Sequence, residues 1–327
     1  MSFNSFLPPV PSGSTSFTLT LAEIIKEAAG ILQIGEDGEE LEPEDYDRFR
    51  RVVNLCVKEI QTQGLTLATY RTGFLFVTQG VVEYTLNGND RTTNTYYQTC
   101  TTAEITAPTD TFEVEDATNI DVDDTLLLLK NDNTFIQSTV VSITPTTAPA
   151  ANIEIADTIT EDIDTEATVI NYRTALEPIS RILDNGIYRR DFFTTDIPIS
   201  MISRDEYNRL PFKTTTSGYI SQAYFWRARN NGELLLWPPP QDETQIVNFW
   251  YESKIDDMIN STDALDLDEF YLPYFVQLCA YRACNRFGVS NELYMRVEKE
   301  YLEMKEDTQT YDDEVTMLKV SINQEGM

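Results

Sequence analysis

Apolar residues recur in this chain with two different periods. Over residues 20–64 and again over 268–304 they return every three or four positions, the spacing that gathers them on one side of an α-helix. Between those stretches, short runs alternate apolar with polar residues, the spacing of strands with one buried face. The first helix has a clear start. Thr20 followed by Glu23 forms a capping box, in which the hydroxyl takes a first-turn N–H and the carboxylate returns to the cap amide. Leu21, Ile24, Ile25, Ala28 and Leu32 then make one apolar stripe. An acidic loop leads to Pro43, which suits the first position of a second helix because its missing N–H is unneeded there. Tyr46, Phe49, Val53, Cys56 and Ile60 continue the stripe, Gly64 ends it, and the short connection predicts an antiparallel pair.

The middle of the chain is rich in Thr and Asp. Strands are expected at 96–105, 111–114, 124–129, 135–143, 152–155 and 168–172, as a small sandwich or barrel inserted between strand-like flanks, the first of them at 82–86. Beyond it, Ser203 and Glu206 repeat the capping-box spacing ahead of a short helix that Pro211 closes. Strands at 219–228 and 233–237 flank Asn231-Gly232, a tight-hairpin pair, and a further strand covers 245–253. Tyr224, Trp226, Phe249 and Tyr251 are expected as buried cross-strand pairs, and Trp237 as a packing plug rather than a sugar platform. Two helices follow. One runs from Glu269 to Phe287 and stops at Gly288; the next starts at Ser290 with Leu293, Val297, Tyr301 and Met304 on one face.

These patterns predict an α+β fold: an α-helical bundle built from the N- and C-terminal segments, an antiparallel β meander, and an inserted small β-sandwich or barrel. The expected domains are an extended arm at 1–17 containing Pro8, Pro9 and Pro11, a core at 18–88 and 173–306, the insertion at 89–172, and a tail at 307–327. In the tail, 316–322 alternates, so Tyr311, Val315, Met317, Leu318, Val320 and Ile322 form a candidate partner or oligomer interface, added as a strand to a neighbour. A frayed terminus is the alternative.

Composition narrows the chemistry. The 24 basic and 54 acidic side chains leave a formal charge of -30, which argues against sticky nucleic-acid binding, since affinity for phosphates comes mostly from Lys and Arg. With no histidine, Ser-His-Asp and Cys-His machinery and histidine metal sites are excluded, and neither a P-loop nor a dinucleotide fingerprint occurs. Cys56, Cys100, Cys279 and Cys284 lack ligand-like spacing and read as thiols of an intracellular chain. No catalytic residue, cofactor or metal site is assigned.

Glu36, Asp37, Glu39, Glu40, Glu42, Glu44 and Asp45 lack the alternating ligands of a calcium loop and read as a solvated turn before a helix. Asp121, Asp123, Asp124, Asp162, Asp164 and Glu166 admit a carboxylate glycosidase, but acids at strand edges more simply line turns. The N-terminus has no basic n-region and the longest apolar run, 126–129, is too short for a bilayer, so a soluble product without membrane contact is expected.

The order of motifs carries more than any one of them. Ala22-Glu23-Ile24-Ile25-Lys26-Glu27-Ala28, an acidic loop, Asn54, Gln63-Gly64-Leu65 and Val82-Glu83-Tyr84-Thr85-Leu86 lead the series. Pro178-Ile179, Ile202-Ser203-Arg204-Asp205-Glu206-Tyr207, Gly232-Glu233-Leu234-Leu235-Leu236-Trp237-Pro238, and a last helix with Leu278, Ala280, Tyr281 and Gly288 complete it. This series resembles the head-to-tail adaptor family of short-tailed bacteriophages, also called tail accessory or head-completion factors. The resemblance implies a non-catalytic virion protein, assembled in the host cytoplasm, whose copies form a ring, usually dodecameric, beneath the portal protein. Downstream tail nozzle or fibre proteins would attach to it, and DNA would pass through its lumen without specific binding. The 89–172 insertion is longer than compact members carry. A carbohydrate- or receptor-binding tail appendage is the alternative, with a carboxylate glycoside hydrolase behind it.

Overall fold

The computed structural model describes residues 17–35, 41–63, 70–88, 91–173, 176, 178–191, 194–213, 217–227, 232–255, 257–265, 267 and 269–312. The chain divides into two compact units, one of residues 1–69 with 255–327, the other of residues 70–254.

Helices α1 (Leu21–Ile31) and α2 (Pro43–Gln63) come first. The second unit then runs through β1 (Tyr70–Phe76), β2 (Glu83–Thr85), β3 (Thr92–Thr93), β4 (Tyr97–Cys100), β5 (Thr109–Val114), β6 (Thr125–Leu129), β7 (Phe135–Pro145), β8 (Ala151–Ile159) and β9 (Thr168–Tyr172). It continues with β10 (Ile179–Asp191), β11 (Thr195–Pro198), β12 (Ser200–Met201), helix α3 (Arg204–Arg209), β13 (Gln222–Arg227), β14 (Gly232–Trp237) and β15 (Gln245–Ser253). After a 3-10 turn at Glu269–Tyr271, α4 (Leu272–Phe287) and α5 (Asn291–Asp312) return to the helical unit.

The expected α+β fold with a helical bundle as its core is overturned. The protein is mostly β, with 37% of residues in strands and 28% in helices, and its strands form several sheets. Helical periodicity is conspicuous because it persists over long unbroken runs, whereas strands are short and their alternation is easily interrupted. β10 is the clearest case. Register shifts between Ile179/Arg181 and Ile182/Ile187 break its period, so Ile179, Ile182 and Ile187 are all buried without a two-residue spacing.

The helical unit has its own apolar core. Ile24, Ile25 and Ala28 of α1 meet Phe49, Val53, Cys56 and Ile60 of α2, Phe275, Leu278 and Cys279 of α4, and Val297 and Tyr301 of α5. Phe49 stacks on Phe287 at 4.4 Å between ring centres, and Tyr281 on Tyr301 at 4.7 Å. The loop before α4 is tied to α2, since the Asn54 amide donates to Met258 O and accepts from Met258 N, both at 2.9 Å. α4 stops at Gly288, whose φ of 61° reverses the chain at no steric cost. At the other end Thr20 and Glu23 close the capping box reciprocally. Thr20→Ala is expected to cost about 1 kcal/mol, read as faster hydrogen exchange of the first α1 amides, with no change in the β unit.

Within the β unit two sheets face one core. One has the order β11-β10-β15-β1-β3 and the other β12-β13-β14-β2, with β12 parallel to β13. Leu75, Val247, Phe249 and Tyr251 from the first pack on Tyr84, Ala223, Leu234 and Leu236 from the second. The third sheet, β4-β9-β6-β7-β8-β5, curls until its edges meet: Thr101 bridges Val114, and Glu115 N donates to Cys100 O at 2.9 Å. Leu126 and Leu128 point into this partly closed barrel with Val114, Val140, Ile153 and Val169. Leu127 points the other way and joins Ile170, Tyr172, Phe76 and Ile246, which explains an apolar run without alternation. Barrel and first sheet therefore share a small core of their own.

Candidate interaction surfaces

Helix α2 buries Phe49, Val53, Cys56 and Ile60, so the residues opposite them face outward. Arg51, Leu55 and Lys58 make that outward stripe, at i, i+4 and i+7, and Leu55 is 57% exposed although apolar. Arg50 and Asn54 flank it, and with Asp257 and Arg286 these residues line an open groove of about 580 Å³. Two of its cations are satisfied locally, Arg50 by Asp47 at 3.1 Å and Lys58 by Asp257 at 2.7 Å. Among the described residues Arg51 and Arg286 have no ion-pair partner. In a chain carrying a net -30, four cations around one exposed leucine are an anomaly.

Helix α5 presents the opposite chemistry. Val297 and Tyr301 turn inward, and Gln277 reaches across from α4 to Val297 O at 3.2 Å. The outward stripe is Met295, Lys299, Leu302 and Glu306, with Glu298 and Glu303 beside it around a second, smaller hollow. Met295 is 69% and Leu302 55% exposed. Lys299 is held by Glu303 at 3.6 Å, which leaves the Glu306 carboxylate without an ion-pair partner among the described residues.

Asp124 is buried; Arg173 Nε donates to it at 2.6 Å, Asn171 Nδ2 at 2.9 Å and Asp121 N at 2.8 Å, and Arg173 also pairs with Asp121. Burial alone would push the Asp124 carboxyl up, but Arg173, the Asp121 amide and Asn171 outweigh it and hold it below its usual 3.8. A lowered folded-state pKa gives stability that is complete above the unfolded value and is lost as pH falls through the folded one. Asp124→Asn is therefore expected to flatten the acid limb of stability against pH, measured by denaturant unfolding between about pH 5 and pH 2. Asp162 accepts from Ala107 N at 2.8 Å, the Asp164 amide donates to Asn131 Oδ1 at 3.1 Å, and Asp123 and Glu166 are exposed turn residues with positive φ. Of these acids Asp121 and Asp124 come together, and Arg173 Nη2 donates to both carboxylates. Of the N-terminal acidic set, Glu44 and Asp45 pair with Arg48 at 2.6 and 3.2 Å, while 36–40 lie outside the described residues.

The tail candidates Val315, Met317, Leu318, Val320 and Ile322 lie outside the described residues, as does the arm at 1–16; the α5 helix runs through Tyr311 to Asp312. Sequence reasoning missed three features. Glu243 is buried and accepts from Arg91 Nη1 at 2.9 Å, Phe135 N at 2.8 Å and Gln79 N at 3.3 Å. Trp226, expected as buried, is 46% exposed under the Arg204 guanidinium, and Tyr224 is half-buried, while Phe249 and Tyr251 are buried; Trp250 is 52% exposed, and Trp237 donates to Pro211 O at 3.1 Å. The third is the basic groove, of which only Leu55 was legible in principle, because it falls off the apolar stripe of its helix. Cys56 and Cys279 are buried in the helical core, where burial, with the Cys56 thiol beside it, pushes the Cys279 thiol well up.

No helix among the described residues is long and apolar enough to cross a membrane. Compared with the models of known protein families the sequence matches none, and it likewise has no match among the curated proteins.

Proposed function

We propose that the chain is a non-catalytic structural protein of a short-tailed phage virion: a head-to-tail adaptor whose copies ring the channel beneath the portal and carry tail nozzle or fibre proteins. The observation that carries this reading is the joint core of α1 and α2 with α4 and α5, which clasps segments more than 200 positions apart into one helical unit. That is what the ordered motifs imply for a protein whose work is geometric fit. The tie-up of Asp121 and Asp124 with Arg173 and the shallowness of the grooves on α2 and α5 are in keeping with it. Twelve copies follow from the resemblance, as do a place in the virion, assembly in host cytoplasm, and DNA passing unbound.

A negative lumen wall would repel a duplex carrying one charge per ~1.7 Å and let it slide. The effect reaches only ~8 Å at physiological salt, so it concerns lumen-facing acids alone. Mass measurement of the protein alone and mixed with the portal protein of the same genome tests the reading. A stoichiometric complex is the expected result; none at any ratio would sink it. A second reading, a carbohydrate-binding tail appendage, is favoured by the exposed indoles of Trp226 and Trp250. It predicts tryptophan quenching by host surface polysaccharide that W226A/W250A abolishes.

A further inference from the structure

We propose that the outward stripe of α2 and the outward stripe of α5 are the two halves of one contact, made between different copies of this chain. The α2 half is a basic rim around an apolar centre, Leu55 between Arg51, Lys58 and Arg286. The α5 half is a net acidic rim around an apolar centre, Met295 and Leu302 among Glu298, Glu303 and Glu306, with Lys299 between them neutralised by Glu303. Both repeat at i, i+4 and i+7, so the side chains of one can seat between those of the other as packed helices do. Among the described residues Arg51 and Arg286 on the first, and Glu298 and Glu306 on the second, have no ion-pair partner, although Glu298 accepts from the Tyr281 and Tyr294 hydroxyls. Pairing across copies satisfies them and covers three exposed apolar side chains.

The two stripes cannot meet within one copy. α5 packs on α4 through Val297 and Tyr301, and α2 packs inward through Phe49 and Ile60, so both stripes face away from the core that joins them. A second copy is favoured over nucleic acid as the occupant. The exposed Leu55 at the centre offers nothing to a phosphate, half the cations are already neutralised by Asp47 and Asp257, and a chain at -30 repels a polyanion over any distance salt leaves unscreened. Because the two faces differ, the contact is heterologous: each copy offers one of each, and the assembly must close into a ring or run on as a filament. Closure rests on the adaptor reading above; the pairing of faces does not. Two single helices make a small contact, so it is weak singly and salt-sensitive.

The test uses full-length protein with Cys100→Ser, so that no native thiol outside the buried three reacts. Leu55→Cys and Leu302→Cys, both at exposed positions, are made singly and together and treated with a short bis-maleimide at high protein concentration. The double variant is expected to give a ladder of dimers, trimers and longer products, each single variant alone only monomers, and a mixture of the two singles dimers and nothing longer. At ~1 M salt, where the Debye length is ~3 Å, ladder yield should fall severalfold. R51E/R286E and E303K/E306K, placed in the double-cysteine background, should each lose the ladder, and mixing them should restore cross-links.

Dimers from one single variant would mean a symmetric contact and overturn the proposal, as would a double variant that stays monomeric. A duplex-DNA mobility shift that needs Arg51 and Arg286 would assign the groove to phosphates and also overturn it. Charge-reversed chains that still join the portal at full stoichiometry would remove this contact and leave the adaptor; chains that ladder but never bind a portal would do the reverse.

Discussion

Replacing Glu243 with alanine is expected to destabilise the β unit by about 3–5 kcal/mol, the cost of breaking a buried charge pair from one side. The carboxylate sits where three segments converge: Arg91 from the residues before β3, the amide of Phe135 at the start of β7, and the amide of Gln79 after β1. Its own N–H donates to Asn133 O at 2.9 Å, so the side chain and backbone of one residue hold the barrel against the first sheet. Truncation takes the carboxylate from a half-buried guanidinium that still reaches Gln137 Oε1 and Val77 O, and removes a carboxylate acceptor from the Phe135 and Gln79 amides, a desolvation penalty the water of the unfolded state does not impose. Glu243→Gln keeps an acceptor and should lose less. Urea unfolding of both variants, with Arg91→Ala to complete a double-mutant cycle, separates the charge from the hydrogen bonds. A loss below about 1 kcal/mol for Glu243→Ala would refute the role given to this residue.

A second large effect is expected at Phe249, fully buried in the middle of β15. Phe249→Ala should cost about 3–5 kcal/mol, because β15 is flanked by β10 and β1 and the cavity cannot collapse without moving both. The ring is so close to its cross-strand partner Gly73 that a Cβ there would lie 2.5 Å from Phe249 Cε2 and 3.1 Å from Leu176 Cδ1. Gly73→Ala should therefore cost about 1–3 kcal/mol by overpacking. Shrinking the ring relieves it: in Phe249→Leu the same Gly73→Ala should be nearly neutral. Additive losses in the double variant would refute the contact as the cause.

Legibility followed the range of the interaction. The capping boxes at Thr20/Glu23 and Ser203/Glu206 could be read because both partners lie within one turn, and both are formed. Strands such as β6, β7, β9 and β15 were visible from composition and alternation. β1 was not, because Gly73 empties the position where an apolar residue would mark the core face, and the reason for that glycine lies 176 positions away, from residue 73 to residue 249. β10 was hidden by its two register shifts. Without these two the sheet in which β15 is central cannot be assembled from sequence, and the louder helical pattern reads as the core of the whole chain. The groove on α2 went unread for a different reason. Arg51 and Lys58 look like ordinary solvated charges in sequence, and only the approach of Arg286 from α4 makes them a rim.

The split of the helical core between the two ends of the chain sets a timetable for synthesis. α1 and α2 leave the ribosome first, with Phe49, Val53 and Ile60 needing α4 to cover them. At ~5–20 residues per second the intervening β residues occupy the ribosome for on the order of 10–40 s. For that interval the nascent chain carries an uncovered greasy hairpin, the kind of surface that trigger-type chaperones hold and that premature termination would leave permanently bare.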